Sequence, residues 1–472
     1  MIIILYYLLT TFIERRIIMT KSTNYKIENI NENLNSHTGL VLIGSLLDRT
    51  NFKNRVANIH LHGCSDPVIS NSDVLTSMIG LQCIATPMYS AIEQFRNTPN
   101  FIKSLGIDYC PSSATLRQRF DLVGNEFDHI IKEESALLIK NTIDGLTPVE
   151  TLTGPKIPLD IDVTPFDNSK TKKEGVSRTY KGYDGFAPIL SYLGGEGYIV
   201  NLEFREGKQH CQNGTVEFLM ETLWYANLIS DLPVLVRLDS GNDCIDNIKV
   251  CIESGVDWLI KRNIRKEKKE DWLEIAKTDG EIYFSDDRSI CWRGKTTIEH
   301  EDIDEPLSVA FEITEIKIDK KGQKLLIPEI KIDTYWSSLT DDAEKIIKLY
   351  HQHGESEQFH SEIKSDMDLE RLPSQKFETN ALILLIGSFS FNMLRLCGQE
   401  SLKITQTIDD KTTILRPLAS RRRIRTVIQD LIYIASHITK KARDFFISFG
   451  SYSSWKVIWE GIYRNFKAPV VN

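Results

Sequence analysis

The segment Ile157-Pro-Leu-Asp-Ile-Asp-Val163 is the stretch of sequence that decides the fold. Its apolar residues alternate with a proline and two aspartates, Asp160 and Asp162, and this period of two is typical of a β-strand. Upstream, from 41 to 141, apolar residues recur with helical spacing instead. Two carboxylates on one face of a central strand are costly unless they are paired, hydrogen bonded or bound to a cation. The segment therefore predicts an α/β domain whose first strand carries a polar site.

The segments that follow have the alternation and turn signals of further strands and helices. We predict strands at 187–192, 198–204, 234–238 and 258–261, and helices at 215–226 and 244–254. The fourth strand ends in Asp239, and open α/β sheets place their chemistry at the carboxyl ends of strands. A structural aspartate that caps the next helix is the alternative for Asp239. Three strands, then helix, strand, helix and strand, are the order of a ribonuclease-H-like domain.

Further along the chain, four residues suited to phosphate chemistry have helical spacing. Tyr350, His353, Glu357 and Lys364 fall within a sector of about 60° on a helix. A solvated helix face with charges seven residues apart is the alternative interpretation of this stripe. Gly354 lies inside the predicted helix, so the helix is expected to begin or bend there.

Three carboxylates each occupy a key point of a separate element: Asp162 on the first strand, Asp239 after the fourth, and Glu357 on the helix. Converging acids of this kind hold two Mg²⁺ ions about 3.5 to 4 Å apart, and Mn²⁺ is the expected substitute. Asp160 is a rival to Asp162, because both side chains share one face of the strand.

At these residues the chain resembles the DDE transposases of bacterial insertion sequences that carry a Tyr-x2-Arg-x3-Glu-x6-Lys signature. It is most similar to the DDE group 1 transposase family. The similar blocks are LDIDVT (159–164), YLGGEGYIVNLEFREG (192–207), VLVRLDSG (234–241) and YHQHGESEQFHSEIK (350–364). The resemblance covers nearly everything from about residue 40 to 450. It implies an α/β ribonuclease-H-like catalytic core with a β-rich insertion and all-α N-terminal and C-terminal regions.

The resemblance also implies roles for individual residues. Asp162, Asp239 and Glu357 match the metal-binding catalytic acids, whereas Tyr350 and Lys364 match positions that support the acid and contact DNA phosphate. His353 departs from the pattern, since the family usually has arginine there. A neutral imidazole would make a weaker, pH-dependent contact with phosphate.

The activity implied by the resemblance is cut-and-paste transposition of an insertion sequence. Strand nicking by water, attack by the freed 3′-OH, often through a DNA hairpin, and joining to target DNA would be its steps. The partners would be double-stranded DNA, at terminal inverted repeats and target sites, and further copies of the chain in a dimer or larger synaptic complex. The expected location is the bacterial cytoplasm, at the nucleoid when DNA is bound, with no membrane. A decayed or domesticated DNA-binding protein, and a ribonuclease-H-like nuclease without strand transfer, are the alternatives.

Local basic segments must supply DNA contacts, because the formal net charge of the 472 residues is −8. The helix that begins near Ser112 carries Arg117 and Arg119, which suits a DNA-reading helix. A helical bundle with surface arginines is the equal alternative. Trp292 is expected at the tip of the insertion, where it could stack on a flipped base. A C-terminal patch, predicted to lead into a helix at 427–442, contains Arg416, Arg421, Arg422, Arg423 and Arg425.

The length predicts two to four domains. We expect an arm at 1–40, a helical DNA-binding domain at 41–150, a catalytic domain at 151–262 and 333–400, a β-rich insertion at 263–332 and a helical basic region at 401–472. The apolar residues 1–13 are too short to span a bilayer, so Met19 is the expected start and a membrane tether the minor alternative. Eight cysteines without a C-x-x-C pair are expected to be reduced.

Overall fold

The computed structural model describes residues 34–61, 63, 67–407, 419–442 and 444–469. Most of the predicted arm, with the expected start at Met19, lies outside the described residues, and so does Arg416.

The strands of the described residues are β1 (Leu34–Asn35), β2 (Val149–Thr151), β3 (Gly154–Val163), β4 (Phe166–Asp167), β5 (Ser177–Arg178), β6 (Asp184–Phe186), β7 (Ile189–Leu193), β8 (Tyr198–Glu203), β9 (Val234–Leu238), β10 (Asp257–Arg262), β11 (Gly280–Ser285), β12 (Ser289–His300), β13 (Ile303–Ile318), β14 (Lys324–Ser337), β15 (Ser436–Lys441) and β16 (Asp444–Phe449). The α-helices are α1 (Leu40–Leu47), α2 (Phe52–Ala57), α3 (Asn71–Cys83), α4 (Pro99–Leu105), α5 (Ser113–Val123), α6 (Asp128–Lys140), α7 (Thr215–Ile229), α8 (Ile245–Glu253), α9 (Lys269–Asp279), α10 (Ala343–His351), α11 (Ser356–Ser361), α12 (Phe377–Thr407), α13 (Ile424–Val427) and α14 (Lys456–Lys467).

A large mixed sheet forms the centre of the protein. Its strand order is β11-β12-β13-β14-β10-β9-β3-β7-β8, and β2 pairs with β3 away from this path. Strands β3, β9 and β10 are parallel, whereas β7 is antiparallel to β3 and β8 is antiparallel to β7. Each strand predicted around the first one is present, so the predicted change from helical to strand period is confirmed.

The insertion continues this sheet instead of forming a separate β unit. Strand β14 pairs antiparallel with β10, in a register that places Ile260 opposite Trp336. Strands β13, β12 and β11 then extend the sheet outward. Helix α9 covers the extension through the buried side chains of Trp272 and Ala276, and the Trp272 ring lies 6.2 Å from the Phe311 ring. The insertion is therefore β-rich, as predicted, but it also includes a helix.

The long helix α12 joins the N-terminal helices to the sheet. The side chain of Gln82 on α3 donates to the carbonyl of Ile383, 2.9 Å away. Asn392 donates to Ser135 on α6, at 2.9 Å, and to the carbonyl of Ile199 on β8. Although α12 is long and apolar enough to cross a membrane, 94% of its most apolar window is buried inside the protein. The helix therefore serves as the core on which both regions pack.

The prediction of a helix at 427–442 is wrong, and so is the prediction that the C-terminal region is all-α. Helix α13 is one turn long, a π-helical turn follows at Ile428–Ile432, and the chain then forms β15 and β16. These strands pair with each other and β15 also pairs with β1, far away in sequence. Ile438 and Thr439, which are β-branched, sit opposite Ile447 and Phe446. Long-range pairing of such residues overrides a local helical pattern.

Candidate active site

The site is built on two neighbouring parallel strands, β3 and β9. Their register pairs Asp160 with Arg237 and Ile161 with Leu238. The next position after this pair is Asp162, on β3, and Asp239, directly after the end of β9. Because neighbouring strands lie about 4.8 Å apart, the two acids are close in space. Because side chains alternate between the faces of a sheet, all four polar residues project from the same face.

The inner pair, Asp160 and Arg237, is a closed ion pair. Arg237 donates to both carboxylate oxygens of Asp160, at 2.6 and 2.7 Å, and both side chains are buried. His353 Nδ1 lies 2.9 Å from Asp160 Oδ1. Burial would raise the pKa of Asp160, but the charges of Arg237 and His353 lower it by more. Asp160 is therefore held as a structural carboxylate, which removes it as a rival to Asp162.

The outer pair, Asp162 and Asp239, consists of two acids. Among the described residues, neither carboxylate forms an ion pair with a lysine or an arginine. Asp162 accepts from the backbone N–H of Val163 at 2.7 Å, and Asp239 accepts from Asn242 Nδ2 at 2.9 Å. Burial and the negative charge of Asp162 together raise the pKa of Asp239. The two acids are thus close enough to interact, and of the two only Asp162 has a basic neighbour in contact, the imidazole of His360.

A helical segment crosses above these acids. It consists of α10, a 3₁₀ turn at Gln352–Glu355 that includes Gly354, α11, and a π-helical turn at Glu362–Asp366. The predicted bend at Gly354 is therefore seen as a local tightening of the helix. His360 Nε2 lies 3.1 Å from Asp162 Oδ2, and Lys364 Nζ donates to the carbonyl of Pro165 at 3.0 Å. Together with the contact of His353, these bonds align the segment along β3.

Glu357 lies on this segment, four residues after His353 and three before His360. Its side chain is exposed. Within the part of the chain that the structure describes, no group of three or more His, Cys, Asp and Glu side chains could hold a metal ion. The structure therefore brings Asp162 and Asp239 together, and it places Glu357 one helical turn from the contacts to Asp160 and Asp162.

The donor chemistry of the outer pair fits a divalent cation. Carboxylate oxygens are hard ligands of the kind that Mg²⁺ and Mn²⁺ prefer. Two adjacent carboxylates, partly buried and unmatched by a lysine or an arginine, would be stabilised by positive charge between them. Asp162 and Asp239 would supply such ligands, and Glu357 is the acid that lies between His353 and His360 along the overlying segment.

Sequence reasoning missed several side chains around the acids. His360 is buried between Asp162 and Tyr192, whose hydroxyl lies 2.8 Å from His360 Nδ1. Tyr180 donates to the carbonyl of Val163 at 3.1 Å, and burial and the charges of Asp162 and Asp239 raise its pKa. His360 occupies a helical position next to the predicted stripe, which is a signal that could have found it. Tyr192 and Tyr180 come together with the acids only through the tertiary fold.

Three predicted DNA contacts are buried and already engaged. Arg119 is 5% exposed and donates to Asn71 Oδ1 and to the carbonyl of Ile69. Trp292 is 6% exposed, so its expected place at an exposed tip is wrong: its strand pairs within the sheet, beneath α9. His353 is 6% exposed against Asp160 and presents no free imidazole to phosphate.

The arginines of the C-terminal patch are also engaged. Arg422 is 4% exposed and pairs with Asp430. Arg421 pairs with Glu355, and Arg423 pairs with Asp366. Arg117, in contrast, is exposed on α5 and stays a candidate for DNA contact.

Tyr350 is the remaining residue of the predicted stripe. Its ring lies 4.7 Å from the Tyr335 ring and 5.7 Å from the His353 ring. Burial and the charge of Asp239 raise its pKa well above the ordinary value. In this structure it therefore packs beside the site as a neutral phenol.

The contact between His353 and Asp160 makes stability depend on pH. Although burial would lower the pKa of His353, the charge and hydrogen bond of Asp160 raise it above the ordinary value of 6.5. The folded protein therefore holds this proton more tightly than the unfolded chain, and the stabilisation is lost as pH rises through the folded-state pKa. We expect His353→Gln to cost more thermal stability at pH 6 than at pH 9, as measured by melting temperature. An equal loss at both pH values would contradict this prediction.

The fold and site together define an α/β protein with paired acids at the carboxyl ends of adjacent parallel strands. A family model described as transposase DDE domain, group 1, matches residues 19–468. The chain therefore belongs to this family of DDE transposases, and the resemblance of its sequence to the DDE group 1 family is confirmed.

Two further comparisons complete this result. Among solved structures, the chain is similar to the piggyBac transposase in a synaptic complex with hairpin DNA, determined by cryo-EM. That similarity has a TM-score of 0.39 and 10% sequence identity, over 93% of this chain and 83% of the other. No curated protein matches.

Proposed function

We propose that this chain catalyses metal-dependent cleavage and strand transfer of DNA, in the cut-and-paste transposition of an insertion sequence. The observation that carries the proposal is the contrast between two neighbouring positions on one face of the sheet. Asp160 is balanced by Arg237 within hydrogen-bonding distance, whereas Asp162 and Asp239 stand side by side without a basic partner of that kind. The two outer acids could therefore bind cations, whereas the carboxylate of the inner pair is already balanced by arginine.

The order of the sheet supports a ribonuclease-H-like core. Strands β8, β7 and β3 form an antiparallel meander, and β9 and β10 continue from β3 as parallel strands. Helices α7 and α8 follow β8 and β9 in the chain. This arrangement places the two acids where open α/β sheets carry their chemistry, at the carboxyl ends of parallel strands.

Bound at this site, two Mg²⁺ or Mn²⁺ ions would activate the attacking oxygen and stabilise the leaving oxygen of a phosphodiester. Asp162 and Asp239 would hold them, with Glu357 as the third acid. His360 orients Asp162, and Tyr192 in turn fixes the His360 ring. Neighbours of this kind orient metal ligands and are costly to remove.

DNA would reach the site past exposed basic residues of the segment 170–181, in which Tyr180 contacts the carbonyl of Val163, next to Asp162. These residues are Lys170, Lys172, Arg178, which pairs with Asp184, and Lys181. Such residues suit contacts with phosphate, and Arg117 would add one from α5. We propose double-stranded DNA with terminal inverted repeats and a target site as the substrate, bound by a homodimer or larger synaptic complex.

The test is incubation of the full chain with Mg²⁺ and a DNA that carries the ends of its own element. Cleaved and joined products are the expected result. Cleavage without joining would indicate a nuclease, and a mobility shift without cleavage would indicate a binding protein. The absence of any DNA product under conditions that support binding would overturn the catalytic proposal.

Glu357→Gln should separate binding from catalysis. If Glu357 completes the metal site, cleavage should fall at least about a hundredfold, the upper end of the cost of losing a group that supports a metal ligand. DNA affinity should change little, because the substitution leaves the exposed surface nearly intact. Glu344→Gln, at an exposed glutamate on α10, is the control and should cleave normally. Normal cleavage by Glu357→Gln would remove Glu357 from the site.

A non-catalytic DNA-binding protein is the second candidate. The observation that favours it is that no three His, Cys, Asp and Glu side chains of the described chain form a metal-binding group. The presence of His353 where the family usually has arginine points the same way. The cleavage assay above distinguishes this candidate from the transposase.

A further inference from the structure

The arginines near residue 420 contact the helical segment that carries Glu357. We name Arg421, Arg423 and Arg425 the C-terminal arginine cluster. Each member forms an ion pair with an acid of that segment, either Glu355 or Asp366. A patch that sequence reasoning assigns to DNA is thus partly neutralised within the protein, because its three arginines share two acids.

Arg421 makes the contacts nearest to Glu357. Its guanidinium donates to Glu355 Oε2 and to Gln358 Oε1, each at 2.8 Å, and so engages residues on both sides of Glu357. The same guanidinium lies 4.6 Å from the centroid of the Phe359 ring, a distance suited to a cation–π contact. The side chain of Arg421 is 9% exposed, which leaves little of it for a DNA phosphate.

Arg423 and Arg425 hold the end of the segment through one buried acid. The Asp366 side chain is fully buried, and it accepts from Arg423 Nε at 2.7 Å and from Arg423 Nη2 at 3.0 Å. The backbone N–H of Arg425 donates to the same carboxylate at 3.2 Å. Arg423 Nη2 also donates to Ser361 Oγ at 3.2 Å. A carboxylate buried in this way depends on its basic partners.

The cluster and the sheet contact different sides of the segment. On a regular helix the positions of Glu355, Gln358 and Asp366 lie roughly opposite those of His353 and His360. The two histidines contact the acids of β3, whereas the other three residues contact the arginines. The segment is therefore fixed from two sides, and both sets of contacts set its rotation about its axis.

We infer that the C-terminal arginine cluster positions Glu357 for catalysis by holding the segment from the side opposite the acids. This inference rests on the proposed function, because it concerns the geometry of the third acid. The chain between Glu355 and Asp366 has only a short α-helix, flanked by a 3₁₀ turn and a π turn. Such deviations from α-helical geometry permit rotation unless outside contacts oppose it. The cluster provides those contacts.

The test compares Arg421→Gln and Arg423→Gln with the native chain in two measurements. DNA affinity is measured with EDTA present, and the rate of end cleavage is measured at saturating DNA over a range of Mg²⁺ concentrations. A positioning role predicts a cleavage rate reduced about tenfold or more, as for other groups that orient metal ligands, with DNA affinity nearly unchanged. Arg464→Gln, at an exposed arginine on α14, is the control and should behave as the native chain.

A DNA-contact role predicts the opposite pattern and would overturn the inference. Affinity would fall, the salt dependence of binding would drop by about one counterion for each arginine removed, and the saturated rate would persist. An exchange of the charges of Arg421 and Glu355 distinguishes loss of this ion pair from misfolding of the variant. Arg421→Glu should lose activity and regain part of it when combined with Glu355→Arg, and the absence of any recovery would count against the inference.

Amide hydrogen exchange makes the inference testable even if the native chain cleaves no DNA. In Arg421→Gln, residues 355–366 should exchange faster than in the native chain, while the strands of the central sheet should keep their protection. Unchanged exchange in this segment would overturn the inference. Failure of native cleavage together with faster exchange would instead overturn the proposed function and leave the positioning contacts in place.

Discussion

Asp162→Asn and Asp239→Asn should each abolish detectable DNA cleavage while leaving the folded protein and its DNA binding intact. The two acids lie on adjacent strands without a lysine or arginine partner, and each substitution removes one of the negative charges that would hold the cations. A bound metal ion contributes several kcal/mol of transition-state stabilisation, which corresponds to a loss of about a thousandfold or more in rate.

Two further observations make this prediction specific to the site. Asparagine has nearly the size of aspartate, so packing is preserved. Burial and the charge of Asp162 raise the pKa of Asp239, so Asp239→Asn should leave the melting temperature equal or higher. Burial would raise the pKa of Asp162, but the contact with His360 lowers it by more, so Asp162→Asn should lower the melting temperature slightly. Asp167→Asn, at an exposed aspartate on β4, is the control and should keep normal cleavage. Rates are measured by gel analysis of end-labelled DNA in Mg²⁺. Cleavage within tenfold of the native rate in either variant would contradict the assigned role.

Arg237→Met should cause the largest loss of stability among single substitutions at the site. Arg237 donates to both oxygens of the buried Asp160 carboxylate and also to the carbonyl of Leu349. Removal of one partner from a buried ion pair leaves an unbalanced charge and costs about 3–5 kcal/mol. The loss is measured as a decrease in the free energy of unfolding by chemical denaturation.

The double variant Asp160→Leu with Arg237→Met tests whether the loss of stability comes from the unbalanced charge of Asp160. When both charges are removed together, most of the lost stability should return, because a buried pair is often replaceable by apolar side chains. Arg178→Met is the control. Arg178 pairs with Asp184 on the neighbouring strand, but both side chains are largely exposed, so its loss should cost about 1 kcal/mol or less. Equal losses for Arg237 and Arg178 would contradict this explanation.

The elements predicted most reliably were those with strong local periodicity. The alternation at 157–163 and the apolar run at 234–238 predict two strands, and both are present. Helix α7 follows β8, and β9 then pairs parallel with β3, so the pairing that brings Asp162 near Asp239 follows from the ribonuclease-H-like order of elements and not from a single β-α-β unit. Local pattern was sufficient here because the same residues that specify the strands also carry the acids.

Contacts between distant segments were not predictable in the same way. The residue type does not show whether an arginine is buried. The buried Arg119 and Arg422 therefore could not be distinguished from the exposed Arg117 before the fold was known. The helical stripe predicted one shared face for His353, Glu357 and Lys364. His353 contacts Asp160 on β3, whereas the place of Glu357 in the site stays a prediction. The 3₁₀ turn at Gln352–Glu355 and the partners of the C-terminal arginine cluster depend on tertiary packing.

The measurement that tests the central claim most directly is iron-mediated cleavage of the polypeptide. Fe²⁺ substituted into a Mg²⁺ site reduces added hydrogen peroxide to hydroxide and a hydroxyl radical, which cuts the nearby backbone, and mass spectrometry locates the cuts. The account predicts cuts near residues 162, 239 and 357 that excess Mg²⁺ suppresses and that Asp162→Asn combined with Asp239→Asn removes. Cuts at unrelated positions, or cuts unaffected by Mg²⁺ and by the double substitution, would contradict the claim that these acids share a metal site.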